Sequence, residues 1–104
     1  MSEIFEVLAE PRRRLILDQL RQRDRTVGEL VTLVRTSQPV VSKHLRVLRN
    51  AGLVSCRVAA QHRVYRIEPE PFRALDEWIA PYRAMWSRQL DALEQHLDDM
   101  EDNP

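Results

Sequence analysis

The sequence predicts a small, mainly α-helical fold with one small β-hairpin, and three features of the chain indicate that fold class. Residues 26–50 carry the capping residues and the apolar spacing of two short helices joined by a tight turn. Over residues 53–67 the spacing changes to that of two short β-strands. Over residues 71–99 apolar side chains return every three or four positions, which predicts one long amphipathic helix.

Length and composition indicate a single domain, spanning residues 1–104, with a small core. The chain has no apolar run near the roughly 18 residues that a membrane-spanning helix needs, and nothing in it resembles a signal peptide. Its single cysteine, Cys56, excludes an internal disulfide. We therefore expect a cytoplasmic protein without membrane contact.

Charge is divided unevenly along the chain, although the formal net charge is zero. Residues 1–67 contain 13 basic and 6 acidic side chains, a net charge of +7. Residues 68–104 contain 3 basic and 10 acidic side chains, a net charge of −7. A basic body followed by an acidic segment indicates a nucleic-acid surface that is separate from a second surface.

The first helix of the 26–50 segment begins with Thr26 and Glu29, which have the spacing of a capping box. In that motif each side chain bonds the other residue's backbone N–H. The apolar face that follows consists of Val27, Leu30, Val31 and Val34. Residues 35–37 are the predicted turn.

The second helix is predicted to begin after Ser37, whose hydroxyl can cap it, with Pro39 in its first turn. Gly52 is placed to end this helix in the left-handed conformation. Its inward stripe consists of Val41, Leu45 and Leu48. Together the two helices and their turn have the form of a helix-turn-helix.

The outer face of the second helix has no acidic side chain and carries Gln38, Val40, Ser42, Lys43, His44, Arg46 and Arg49. No Asp or Glu occurs between Glu29 and Glu68, whereas seven basic residues do. These are Arg35, Lys43, Arg46, Arg49, Arg57, Arg63 and Arg66. A solvated helix normally mixes both signs of charge. We therefore predict a partner with regularly spaced phosphates, double-stranded DNA, rather than a merely basic surface.

The segment SQPVVSKHLRVLRNAGLV, followed by a short basic hairpin, resembles the signature of ArsR/SmtB-type winged helix-turn-helix repressors. The resemblance covers nearly the whole chain, from LAEPRRRLILDQL near its start to the last helix. It implies a winged helix-turn-helix domain with the helix-turn-helix at about 26–50, the wing at about 53–67 and a long C-terminal dimerisation helix at about 71–99. It also implies a homodimer that represses transcription from an inverted-repeat operator, its own promoter included.

The predicted DNA-binding residues lie on the second helix and its cap and on the wing. Those on the helix are Ser37, Gln38, Pro39, Val40, Ser42, Lys43, His44 and Arg46, and those on the wing are Arg57, Gln61, His62 and Arg63. Gln, Ser and Lys can read base edges in the major groove. The wing residues are expected at the DNA backbone or in the minor groove.

The tip of the wing, residues 59–62, lacks the Gly that tight hairpin turns prefer and that many members of the family carry. We therefore expect a connecting loop longer than two residues.

Another helix is predicted to begin at Pro11, with Leu15, Ile16 and Leu20 directed inward. Its first turn carries Arg12, Arg13 and Arg14. They have two alternative roles, bonding acids of a neighbouring helix or contacting DNA phosphates. We favour the first, because the resemblance places most DNA contacts elsewhere.

The last helix has an apolar stripe too long for one small core to cover. The predicted dimer interface consists of Phe72, Leu75, Trp78, Ile79, Tyr82, Trp86, Leu90 and Leu93. The alternative is that this helix packs only on its own domain, but aromatic and Leu-rich surfaces are typical of subunit interfaces. Pro81 is expected to kink or restart the helix.

No enzyme chemistry is predicted, since the chain has no phosphate-binding glycine loop and no nucleophile–base pair. The family often senses metals, but its thiolate site needs a Cys in ELVTLV, where there is none. On the last helix His96 and Asp99 supply half a ligand set, and Arg83 and Met85 cannot complete it. We therefore expect no metal and no cofactor.

The effector stays open, and two alternatives remain. One is a metal- or redox-responsive repressor that uses Cys56 and the histidines. The other is a winged-helix module that binds proteins and not DNA, although an acid-free second helix disfavours it.

Overall fold

The structure is a computed structural model, and it describes residues 2–101. Its elements in order are α1 (Ser2–Ala9), α2 (Pro11–Gln22), β1 (Arg25–Thr26), α3 (Val27–Val34), α4 (Gln38–Asn50), β2 (Val54–Ala59), β3 (His62–Ile67) and α5 (Pro69–Glu101). One compact unit extends to Phe72, and a second begins at Arg73 and continues along α5. The predicted mainly helical class, with one small hairpin and a long last helix, is confirmed.

The helix-turn-helix forms as its capping residues predict. At the start of α3 the Glu29 N–H donates to Thr26 Oγ1 at 3.2 Å, and the Thr26 N–H donates to Glu29 Oε1 at 3.2 Å. Arg35, at φ 59°, ends α3 in the left-handed conformation. Ser37 Oγ then accepts from the Val40 N–H at 3.4 Å and caps α4.

The end of α4 is a Schellman motif, which requires a left-handed residue just past the helix. Gly52 has a φ of +79°, as predicted. Its N–H donates to the Arg49 carbonyl at 3.0 Å, and the Leu53 N–H donates to the Leu48 carbonyl at 3.0 Å. Leu53 is fully buried, so this turn also sends the chain from α4 into the wing.

The hairpin loop is shorter than predicted. Ala59 pairs with His62 at the end of the β2–β3 ladder, which leaves a two-residue loop of Ala60 and Gln61. The expectation of a longer loop was therefore wrong. Ala60 adopts a φ of 58°, a conformation that costs an L-residue about 1–2 kcal/mol. Alanine has only a Cβ to accommodate, so the tight turn forms without glycine.

A third strand was missed, because two residues are too few to show alternation. Strand β1 pairs with β3, with Arg25 opposite Tyr65 and Thr26 opposite Val64, and the sheet order is β1-β3-β2. Arg25 is only 8% exposed, and its guanidinium donates to the Gln19 carbonyl and to the Gln22 side chain. The strand thereby fixes the start of α3 against the wing.

The core lies among α1, α2, the helix-turn-helix and the base of the wing. Its buried residues are Val7, Ile16, Leu17, Leu20, Leu30, Val41, Leu45, Leu48, Leu53, Val54 and Tyr65. The predicted α4 stripe is thus buried. On α2, Ile16 and Leu20 are buried as predicted, but Leu15 is 48% exposed.

Arginines of α2 satisfy the end of α1, a role that the sequence did not show. Arg14 Nη1 donates to the carbonyls of Leu8 at 2.7 Å and Ala9 at 3.1 Å, and Arg13 Nη1 donates to the Val7 carbonyl at 3.5 Å. The last carbonyls of a helix have no partner within it, and α1 has no basic residue in its last turn. The expectation that these arginines bond acids of a neighbouring helix was therefore wrong, because Arg13 and Arg14 bond backbone carbonyls of α1 instead.

Helix α5 runs without interruption from Pro69 to Glu101, past Pro81. Of the two expectations for Pro81, a kink or a restart of the helix, the restart was wrong. A proline removes one backbone hydrogen bond, and the helical turns on either side are numerous enough to continue without it. No described residue of α5 is buried, although Phe72 packs partly against the core. No helix within residues 2–101 has both the length and the apolar character needed to cross a bilayer.

Candidate nucleic-acid interface

The outer face of α4, the tip of the wing and the start of α3 enclose one cleft of about 560 Å³. Six of the predicted DNA-binding residues line it: Gln38, Ser42, Arg46, Gln61, His62 and Arg63. The pairing of β1 with β3 brings these elements together, because it holds Thr26 beside Val64, next to Arg63. The cleft therefore joins the second helix of the motif to the wing in one surface.

The other predicted DNA-binding residues lie outside this cleft. Ser37, Pro39 and Lys43 are exposed on α4 and its cap, and Val40 is half-buried. Arg57 is on the wing, where its guanidinium pairs with Asp24 at 3.4 Å. The structure thus unites half of the predicted set.

The cleft is strongly basic. Its lining includes Arg46, Arg49 and Arg63 and contains no acidic side chain. Among residues 2–101, none of these three guanidinium groups has an acid within ion-pair distance. Three uncompensated guanidinium groups on one concave surface are suited to phosphate oxygens, which they can bind in a bidentate manner.

The remaining basic residues of the acid-free stretch divide into paired and unpaired groups. Arg57 is paired with Asp24, and Arg66 lies 3.8 Å from Glu68. Lys43 and Arg35 have no acid partner within the described part of the chain. The count of seven from the sequence therefore overstates the charge that is free to meet DNA.

Seven cleft residues were missing from the predicted contact set, and two of them, Arg49 and Asn50, are exposed polar residues of α4. A signal for Arg49 was available, because it follows Gln38 by eleven residues, about three turns of helix. Positions separated by whole turns lie on one face. For Asn50 the spacing gave no comparable signal.

Glu29, which follows the cleft residue Gly28 in the chain, forms an ion pair at the start of α3. The Thr26 backbone N–H lowers the pKa of Glu29 from its ordinary value of 4.5, and Arg23 and Arg25 lower it further. Arg23 Nη2 is 2.7 Å from Glu29 Oε2. The charge of this carboxylate is therefore paired with that of Arg23.

His44 is a predicted contact that lies outside the cleft. It follows Ser42 by two positions, about 200° around the helix. Its ring is half-buried, and Nδ1 accepts a hydrogen bond from Arg13 Nε at 3.3 Å. Burial lowers the pKa of His44 from its ordinary value of 6.5, and the charge of Arg13 lowers it further.

Among the described residues, 2–101, no group of three or more His, Cys, Asp or Glu side chains is placed so that it could hold a metal ion. Cys56 is half-buried in β2, where its backbone pairs with Tyr65.

A helix-turn-helix followed by a hairpin, with an acid-free cleft between them, defines a winged helix-turn-helix DNA-binding transcriptional regulator. The family model described as bacterial regulatory protein, arsR family, matches residues 10–55. The HTH-type transcriptional regulator Rv2034 of Mycobacterium tuberculosis is 36% identical over 94 residues, which cover 90% of this chain and 85% of that protein. The chain belongs to the arsR family, whose members are transcriptional regulators and not enzymes.

Two further similarities bear on function. The HTH-type transcriptional repressor SmtB of Mycobacterium tuberculosis is 40% identical over 66 residues, 64% of this chain and 49% of that repressor. The homodimeric winged helix-turn-helix DNA-binding domain Mb0332 from Mycobacterium bovis is 27% identical, with a TM-score of 0.64. That comparison covers 88% of this chain and 82% of the solved domain.

Proposed function

We propose that the protein is a cytoplasmic, homodimeric repressor that binds an inverted-repeat operator through the cleft between α4 and the wing. In this proposal residues 1–104 act as one domain, and no metal or cofactor takes part. The observation that carries it is the cluster of Arg46, Arg49 and Arg63 in a cleft that no acid lines.

Different parts of the surface have different roles in the proposed complex. Gln38, Ser42 and Lys43 on α4 enter the major groove and read base edges, because their amide, hydroxyl and ammonium groups match base donors and acceptors. The cleft arginines and the wing residues Gln61 and His62 contact the DNA backbone. Arg57, which is paired with Asp24, contributes less than Arg63.

The second subunit covers the apolar stripe of α5. Trp78, Tyr82, Trp86, Leu90 and Leu93 are large, apolar and exposed in a single chain. Monomeric soluble proteins rarely expose a continuous apolar surface of this kind. The homodimeric character of Mb0332 supports the same assembly for this chain.

Repression follows from occupancy of a promoter, its own included. The name of the similar repressor SmtB supports repression over activation, although the chain spans only about half of that protein. Two copies related by a two-fold axis would place two α4 helices in successive major grooves, so the operator is an inverted repeat.

The test compares side chains with different proposed roles on specific and random DNA duplexes. Gln38→Ala and Lys43→Ala should reduce discrimination between the two duplexes. Arg63→Ala should weaken binding to both evenly. Arg57→Ala is the matched control, since it removes another wing arginine, outside the cleft and already paired, and should weaken binding less than Arg63→Ala.

Salt dependence supplies the second measurement. If each dimer contacts six or more phosphates, affinity should fall by roughly a thousandfold between about 50 and 200 mM salt. Arg63→Ala should make that dependence shallower. Binding that is independent of salt, or a wing substitution that alters specificity while the α4 substitutions do not, would contradict the proposed roles.

A further inference from the structure

One partly buried polar link connects three helices on the side of α4 away from the proposed DNA-binding cleft. Arg13 of α2 donates from Nε to His44 Nδ1 at 3.3 Å and from Nη1 to the Val7 carbonyl at 3.5 Å. His44 belongs to α4, and Val7 is in the last turn of α1. A single guanidinium therefore fastens α4 to α2 and to the end of α1.

The hydrogen bond fixes the protonation state of His44. An Nδ1 that accepts a hydrogen bond carries no proton, so the ring is neutral with its hydrogen on Nε2. A proton added at Nδ1 would point at the Arg13 Nε–H and place two positive charges side by side. The bond can therefore exist only while His44 is uncharged.

The charged groups around His44 act mostly in the same direction. Arg12 and Arg13 of α2 and Lys43 of α4 disfavour a charged ring, as does its burial, which is the largest influence. Glu10, the cap of α2, is the one group whose charge opposes them. Together they keep the pKa of His44 below 6.5.

His44 lies outside the cleft proposed to bind DNA, but its bond to α2 can still influence the orientation of α4. Its ring packs on the side of α4 that faces α2, while Gln38, Ser42 and Arg46 line the cleft on the other side. Movement of α4 relative to α2 would therefore displace the groove-facing residues together.

We propose that His44 is a positioning residue: its neutral ring, held by Arg13, fixes the orientation of α4, and tight operator binding requires that ring to be uncharged. The inference rests on the proposed function and replaces direct DNA contact as the role of His44.

Positioning and direct contact predict opposite responses to pH. A histidine that contacts phosphates binds more tightly when protonated, since it gains a positive charge. His44 should act in the opposite sense, because protonation breaks its bond to Arg13. His62 lines the cleft, where it is proposed to contact DNA phosphates directly. The two histidines should therefore be measured separately.

The experiment uses the full chain and a duplex selected from a random library by the unaltered protein at pH 8. Affinity is measured from pH 8 to 5.5 at constant ionic strength, with His62→Gln as the background so that no histidine lines the cleft. Below the pKa of His44, the affinity of the dimer should fall toward a limit of about a hundredfold per pH unit, the slope for uptake of one proton by each of its two subunits.

Two substitutions of His44 distinguish positioning from general stability. His44→Asn keeps an acceptor near the Nδ1 position but cannot titrate, so it should retain affinity at pH 8 and show no fall below pH 6.5. His44→Leu fills similar space without an acceptor and should lose at least about tenfold in affinity at pH 8, the size of a lost bond to a charged group. Thermal melting identifies variants that are unfolded.

Three results would overturn the positioning role. These are tighter binding on protonation of His44, the same pH profile in His44→Asn as in the background protein, and full affinity in a folded His44→Leu. Nitrogen NMR of the free protein gives a readout that needs no DNA, and a proton on Nδ1 at pH 8 would also refute the proposal. If the unaltered protein selects no duplex while NMR shows the expected ring, the proposed function fails and the positioning role fails with it.

Discussion

Substitution of Trp86 by alanine should separate the proposed dimer into monomers while leaving the DNA-binding unit folded. Trp86 is 63% exposed in the single chain, so the core does not depend on it. It lies in the middle of the α5 stripe, between Tyr82 and Leu90. A partner that covers the stripe would bury this indole in both copies.

The magnitude follows from the exposed area. A tryptophan offers at most about 250 Å², of which the exposed fraction leaves about 160 Å² for a partner to cover. At about 25 cal/mol per Å², full coverage contributes about 4 kcal/mol per copy. Buried area overstates affinity, because association has its own entropic cost. Two copies of Trp86 would contribute about 8 kcal/mol at full coverage. If only half of that, about 4 kcal/mol, is lost in Trp86→Ala, the dimer dissociation constant still rises roughly a thousandfold.

Sedimentation velocity over a range of protein concentrations, combined with a gel-shift assay, measures both consequences. Trp86→Ala should sediment as a monomer and bind the operator far more weakly, because one subunit reaches one half-site. Arg88→Ala is the matched control, since it truncates a long exposed side chain about 200° around α5 from Trp86. A Trp86→Ala protein that remains dimeric and binds normally would place the subunit contact elsewhere.

Three further predictions concern turns, metals and a capping residue. Gly52→Ala should lower the free energy of unfolding by about 1 kcal/mol, because a Cβ there meets no atom but the backbone φ is positive. Ala60→Gly should raise the free energy of unfolding by up to about 1 kcal/mol, because it removes a Cβ from a residue with positive φ. If chemical denaturation showed the same change in unfolding free energy for both variants, the assigned turns would be contradicted. Zinc, nickel, cadmium and arsenite should not release the DNA complex, and release at stoichiometric concentration would direct attention to Cys56, His62 and His96. The pKa of Glu29 is lowered mainly by its hydrogen bond from the Thr26 N–H. Ionised Glu29 should therefore stabilise the fold at pH values above its ordinary pKa of 4.5, and this stabilisation should be lost as the pH falls through the pKa that Glu29 has in the folded protein. The difference in melting temperature between the unaltered protein and Glu29→Gln should therefore shrink in acid, and a constant difference would refute that role.

Local signals predicted the helix-turn-helix because the residues that start and end its helices act within a few positions of the chain. Thr26 and Glu29 bond each other, Ser37 bonds the third residue after it, and Gly52 supplies the backbone conformation that its own turn needs. Such features can be identified without knowledge of the tertiary fold. The cleft itself was predicted only in part, since six of its residues were predicted contacts and Arg49, although placed on the outer face of α4, was not among them.

Features that depend on distant partners were missed or misassigned. Strand β1 exists because β3 lies beside it, and two residues contain no pattern of their own. Arg13 and Arg14 meet carbonyls of α1, which no count of acids could indicate. The partner of His44 lies 31 residues away along the chain, so spacing along α4 could not show that its ring turns toward α2. Ala60 shows that a composition rule for turns can fail where the strain is small.

Selection from a random library of duplex DNA, followed by sequencing of the bound fraction, tests the central proposal most directly. The unaltered protein should enrich an inverted repeat whose half-site centres lie about one helical turn, roughly 10 base pairs, or a multiple of that distance apart. The Arg46→Ala, Arg63→Ala double variant, which loses two of the three cleft arginines, should enrich nothing. Failure of the unaltered protein to enrich any duplex, or equal enrichment by the double variant, would contradict recognition of an operator through this cleft.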